Sequence, residues 1–278
     1  MTVENDNTEI RKGSAPGGPI PVSVSGGDMP EAGKFSISAC KSYSAIDSAL
    51  QDASSIPDAA IVKIRNTLSE ARFSKYMTMA NDDKRLAMRL HSWNAAVAAS
   101  LLPTLHVTEV AIRNFALRRL IAKYGKSWYS DYRLEAKLGK SPLRGQLADA
   151  VSDEKRAGRT SNLTDYVASE LTFGFWVNVF TRTFVPELWT RPLHTINPNI
   201  PRDMPITDLH DGIELVRSFR NNVAHHKNLI SKPVEANYER TLKVLSWVCK
   251  SSHQMAKTNS TFERVWACCP VPKERLNV

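Results

Sequence analysis

The sequence predicts an all-α fold, on three observations. Apolar residues recur at intervals of three and four along most of the chain. The stretches between them carry helix-start and helix-stop residues, and no sustained run alternates apolar with polar. The chain has 278 residues, 42% of them hydrophobic, which is enough to bury a substantial core. No repeated unit is present. The organisation expected is a disordered or mobile N-terminal tail over residues 1–55, a helical domain over 56–258 and a C-terminal tail over 259–278.

The first 44 residues are rich in Gly, Pro and Ser, with little to bury. A first helix is expected after Pro57 and Asp58, running through 59–73, with Ala60, Ile61, Ile64 and Leu68 on one face. Asn81, Asp82 and Asp83 form a cap and acidic start for a second helix carrying Leu86, Met88, Leu90, Trp93, Val97 and Leu101. Pro103 is expected to end or kink it. Beyond Pro103 a nearly uninterrupted apolar helix runs to Gly125, too apolar for a surface position, so it is placed centrally. Residues 161–191 read as buried helix interrupted by Gly174, and 192–205, with four prolines, as loop. Helix resumes at Ile206 with Thr207 or Asp208 as cap, and a last helix spans about 234–255.

The net charge of +9 attracts polyanions. Residues 1–34 carry three Lys/Arg against five Asp/Glu, so the basic excess belongs to the body. Residues 111–160 hold twelve Lys/Arg and five Asp/Glu, interleaved with Tyr124, Trp128, Tyr129 and Tyr132. Such a stretch suits a phosphate backbone with stacked bases, and equally a solvated helical face over core aromatics. The four cysteines show no C-x-x-C spacing, the N-terminus has early acids and no apolar signal region, and no apolar run approaches the length of a membrane span. A cytoplasmic protein without membrane contact is expected.

On the helix from Ile206, the residues Ile206, Leu209, Ile213, Val216, Phe219 and Val223 form an apolar seam. At about 100° per residue, Asn221 and His225 fall on one face away from that seam, with Arg220 at its edge. A guanidinium fork, an amide and an imidazole suit RNA cleavage by internal 2′-OH attack. Histidine transfers the protons and arginine holds the phosphate, and the steps need neither metal nor other cofactor. The spacing alone is weak evidence, because a helix end often carries His and Lys to complement its dipole.

The run RSFRNNVAHH resembles the Arg-polar-x-x-x-His signature of the HEPN superfamily. The stretch from Arg72 to Leu120, with Tyr76, the Trp93-Asn94 pair and the block Glu109-Val110-Ala111-Ile112-Arg113-Asn114, resembles the N-terminal half of Abi-like (abortive infection) proteins. ASELTFGFW is similar to their middle block. The ordered blocks cover residues 64 to 230. The resemblance implies an HEPN-like helical bundle, a homodimer whose cleft is completed by the second copy, and RNA cleavage leaving a 2′,3′-cyclic phosphate. It assigns Arg220, Asn221 and His225 to catalysis. Glu109 and Arg113, one helical turn apart, are expected to pair and buttress the site, with Asn114, Arg118 and Arg119 as further supporting or RNA-binding residues.

Three functions follow as expectations. One is a phage-defence or toxin endoribonuclease, cutting RNA such as tRNA and restrained by an antitoxin protein or noncoding RNA. Another is a non-catalytic module that binds RNA or an antitoxin. The third, on thin grounds, is a phosphohydrolase with His210, Asp211, His225 and His226 as metal ligands.

Overall fold

The computed structural model describes residues 56–277, and the tail expected over 1–55 lies outside them. Among the described residues there are thirteen α-helices, two 3-10 turns and no strand, so the fold is all-α.

The axis of the molecule is a 41-residue helix, α3 (Lys84–Tyr124), preceded by α1 (Asp58–Leu68) and α2 (Glu70–Met79). Asp83 caps α3 as expected, its carboxylate accepting from the backbone N–H groups of Arg85 and Leu86. Helix α3 ends at Gly125, whose φ of 85° carries the chain out of the helix. Pro103 does not end α3. Its ring removes one backbone donor, which burial of Leu101, Thr104 and Leu105 on either side outweighs. The helix is therefore long and apolar enough, by length and composition, to cross a membrane. The sequence alone did not reveal this, because the two stretches become one only when the helix continues through Pro103. Here α3 packs against protein, with α1, α2, α7, α8 and α10–α13, defined below, all in contact with it.

The first expected helix is broken at Ser69, whose φ of 71° separates α1 from α2 and lets both fold against α3. At the far end of α3, a 3-10 turn (Trp128–Ser130) leads into α4 (Tyr132–Leu138), α5 (Pro142–Arg156) and α6 (Leu163–Glu170). Residues 161–191 form not one buried helix but α6, α7 (Phe173–Asn178) and α8 (Val185–Leu188). The extended backbone at Leu171 and Thr172 divides the first two, and Gly174 sits inside α7. The proline-rich loop contains one short helix, α9 (Leu193–Ile196).

Helix α10 (Ile206–Ala224) starts at Pro205, with no side-chain cap from Thr207 or Asp208. Its seam is as expected, with Leu209, Ile213, Val216, Phe219 and Val223 all buried. Gly212 lets it approach α11 (Val234–Val248): a Cβ there would lie 3.1 Å from Trp247 Cζ3 and 3.2 Å from Val244 Cγ2. The expected last helix breaks at Cys249, in extended conformation, into α11 and α12 (Lys250–Asn259).

The segment expected as a C-terminal tail over 259–278 is described through residue 277, and there it is packed on the domain. It forms α13 (Phe262–Ala267) and a closing 3-10 turn, and it buries Phe262, Val265, Trp266, Val271 and Leu276. The Trp266 ring stacks on Trp93 of α3 at 5.0 Å between centroids, and Trp93 Nε1 donates to the Val265 carbonyl at 2.7 Å. Phe262, Val265 and Trp266 stand at helical spacing, but a six-residue helix is too short for that pattern to be distinctive in the sequence, so burial reveals the element.

Candidate functional site

The C-terminal end of α10 divides two concave regions. On one side, Arg220 and Asn221 line a cleft of about 550 Å³ with Glu214, Arg217, Gln146 and Asn178, between α10, α7 and the start of α5. Arg220 Nε donates to Glu109 Oε2 at 2.8 Å, an ion pair linking α10 to α3 across 111 residues of sequence. Both side chains are partly exposed, so the pair orients the guanidinium more than it stabilises the fold. The terminal Nη groups of Arg220 make no hydrogen bond among the described residues. They remain available to an anion in the cleft. Arg217 is held by Glu214, and that hydrogen bond pushes its pKa up.

On the other side lies a cavity of about 610 Å³, lined by His225, His226 and Lys227 together with residues of α2 and α3. Helix α10 ends in a Schellman arrangement. The His226 N–H bonds the Val223 carbonyl at 3.1 Å, the Lys227 N–H bonds the Asn222 carbonyl at 3.1 Å, and His226 takes the left-handed position with φ 52°. The following loop is tied to α3 where Asn94 Oδ1 accepts from the Leu229 N–H at 2.8 Å. Asn94 of the Trp93-Asn94 pair thus positions the loop that carries the histidines.

The two cavities share no lining residue. Arg220 and Asn221 are together, but His225 does not join them in a single cavity of the chain. Regular helical stepping ends at Ala224, and His225, with φ −91° and ψ 16°, is the cap residue where the chain leaves the helix. His210 lines the Arg220 cleft and pairs with Asp211 at 3.0 Å, so it too is apart from His225 and His226. Among the described residues no group of three or more His, Cys, Asp or Glu is placed to hold a metal ion.

The supporting residues separate likewise. The expected Glu109–Arg113 pair does not form, because Glu109 turns to Arg220; Arg113 keeps a buried Nε with no partner. Asn114 is half-buried on α3. Arg119 bonds the Leu188 carbonyl through Nε at 3.1 Å and Nη2 at 2.8 Å and lies over the Trp189 ring, and burial pulls its pKa down. It holds α8 to α3. Arg118 is exposed beside it, on a third hollow that touches neither of the other two. The aromatics of the basic stretch are mostly structural. Trp128 is fully buried against Phe175 and Trp176, Tyr124 is buried with its hydroxyl bonded to Glu187, Tyr129 is half-buried, and only Tyr132 is exposed.

Sequence reasoning missed Arg72, Lys75, His91 and Lys232, which share the cavity of His225. They are scattered over three segments, and the only local signal, the run His225-His226-Lys227, also fits a helix-end dipole. Compared with family models, with curated proteins and with solved structures, the chain matches none.

Proposed function

We propose that this chain is a metal-independent endoribonuclease of the HEPN type, acting in the cytoplasm as a phage-defence or toxin effector. The observation that carries the reading is Arg220, anchored through Nε on Glu109 with its terminal nitrogens free beside Asn221, on the helix whose exposed end bears His225. The resemblance of RSFRNNVAHH and of the upstream blocks to Abi-like proteins supports it further.

In this reading a histidine takes the proton from the ribose 2′-OH as the 2′-oxygen attacks phosphorus. The bond from phosphorus to the 5′-oxygen breaks, and a second acid protonates the departing oxygen, leaving a 2′,3′-cyclic phosphate. Arg220 donates to the non-bridging oxygens as charge builds there, and Asn221 adds an amide donor. His225 lines a different cavity from Arg220 and Asn221, although its backbone N–H bonds the Asn221 carbonyl at 2.9 Å, so gathering all three side chains on one phosphate calls for a turn of the imidazole or a second copy. A homodimer whose two clefts merge brings both copies' His225 to one phosphate, one as base and one as acid, beside the anion clamp of Arg220.

The test is incubation of purified protein with tRNA and total RNA in EDTA, followed by mapping of the ends. Wild type is expected to leave cyclic phosphates, with His225→Ala and Arg220→Ala slower by about 10²-fold or more. Inert wild type on every RNA would sink the enzymatic reading. The same separation of His225 from Arg220 also favours a second reading, a module that binds RNA or an antitoxin without cutting. It predicts salt-sensitive binding and no cyclic ends.

A further inference from the structure

The cavity beside His225 differs from the Arg220 cleft in its charge. It is lined by four Lys/Arg side chains, Arg72, Lys75, Lys227 and Lys232, and by three histidines, with no Asp or Glu in the wall. None of the four cations forms an ion pair among the described residues, and all four are exposed. Elsewhere on the surface Arg65, Arg85, Arg133, Arg144 and Arg156 each sit against a carboxylate. Concentrating unpaired cations around one hollow is unfavourable in the free protein and is relieved by a polyanion.

An independent observation points the same way. Asn228 lies in the same wall, and its Nδ2 is buried without a hydrogen-bond partner, although its Oδ1 accepts from the Ser231 N–H at 3.3 Å. A buried orphan donor costs about 1–3 kcal/mol, a cost relieved when a small turn of the side chain presents it to an acceptor oxygen on a ligand. Tyr76, His91, Leu68 and Ala98 supply a less polar side for a sugar and base.

We infer that this cavity is a phosphate-binding subsite for single-stranded RNA, in which Arg72, Lys75, Lys227 and Lys232 take consecutive strand phosphates and Asn228 donates to one of their oxygens. It rests on the nuclease reading for its place in the reaction: it holds the strand next to His225. The cations come from α2 on one side and the loop after α10 on the other, so they flank a strand passing between them. A volume of about 610 Å³ exceeds what inorganic phosphate needs and suits a nucleotide or two, with the neighbouring phosphates of the strand meeting the exposed cations at its rim.

The test uses the full chain and a fluorescent 2′-O-methyl oligouridine, which cannot be cleaved by 2′-OH attack, titrated at several salt concentrations. Arg72→Ala/Lys75→Ala and, separately, Lys227→Ala/Lys232→Ala are expected to weaken binding about tenfold. Each should also lower the slope of log K against log salt by about 1.4, the loss of two single-strand phosphate contacts. The control Lys140→Ala/Lys250→Ala removes the same charge away from the cavity and is expected to keep the wild-type slope. Equal slopes for cavity and control variants would overturn the assignment. Displacement of the oligonucleotide by micromolar inorganic triphosphate would also overturn it, reassigning the cavity to a free polyphosphate. Because the probe cannot be cut, a wild type that binds it through these residues but produces no cyclic ends from RNA would refute the nuclease reading alone.

Discussion

Glu109 of α3 accepts from Arg220 of α10 at 2.8 Å, and this single contact fixes the orientation of the one guanidinium in the cleft whose terminal nitrogens are free among the described residues. The pair is partly exposed, so its direct contribution to stability is small, about 1 kcal/mol or less. Glu109→Gln is therefore expected to leave the urea midpoint almost unchanged. Cleavage of RNA should fall about tenfold or more, because Arg220 loses its anchor. A large loss of stability with unchanged cleavage would assign Glu109 to the fold instead.

His226 occupies the left-handed position that glycine usually fills at a Schellman helix end, with φ 52°. Replacing it with glycine relieves strain worth about 1 kcal/mol, and His226→Gly is expected to raise the midpoint of chemical denaturation. If the imidazole also serves the cavity, RNA binding weakens in the same variant. A less stable protein would show that the ring's own contacts outweigh the backbone cost.

Arg119 illustrates a basic residue that reads as an RNA contact and serves as a structural one. Arg119→Ala removes two hydrogen bonds to the Leu188 carbonyl and the contact with the Trp189 ring. A loss of roughly 1–2 kcal/mol in stability is expected, with the salt dependence of RNA binding unaltered. A lower salt slope in this variant would return Arg119 to the RNA-binding surface.

His91 faces the cavity with Arg72, Lys75, Lys227, Lys232, His225 and His226, and Tyr76 lies edge-on to its ring at 5.3 Å. Burial holds its pKa below the ordinary 6.5. The unfolded chain therefore takes up a proton near pH 6.5 that the folded protein resists, so stability falls as the pH drops from 6.5 toward the folded value. Wild type should lose more stability between pH 7.5 and 5.5 than His91→Phe. Parallel losses in the two proteins would place the acid sensitivity elsewhere.

On the same helix as His91, Trp93 is covered by the stacked ring of Trp266. Trp266→Ala is expected to cost about 3–5 kcal/mol, read as a lowered urea midpoint. A change within error would mean that the C-terminal segment packs on the domain without supporting it.

Local sequence determined much of the helical order. The cap at Asp83, the stop at Gly125 and the seam of α10 depend on neighbouring residues and on periodic apolar spacing, and both are written along the chain. The breaks at Ser69 and Cys249 were not legible, because one residue can leave the helical region without disturbing the apolar pattern on either side. The passage of α3 through Pro103 was hidden for the converse reason: packing of Leu101, Thr104 and Leu105 against the core offsets a local preference to stop.

The candidate site divides along the same line. Arg220, Asn221 and His225 were readable as residue types able to bind phosphate and move protons. Which groups meet was decided by tertiary packing. Glu109 had an available partner one turn away in Arg113 and took Arg220, 111 residues distant, because α3 and α10 cross there. The end of α10 at Ala224, with the turn at His226, put His225 in a cavity with Arg72, Lys75 and Lys232 instead of in the Arg220 cleft. Sequence spacing specifies neighbours on one helix, and a site made from several helices is specified by how those helices pack.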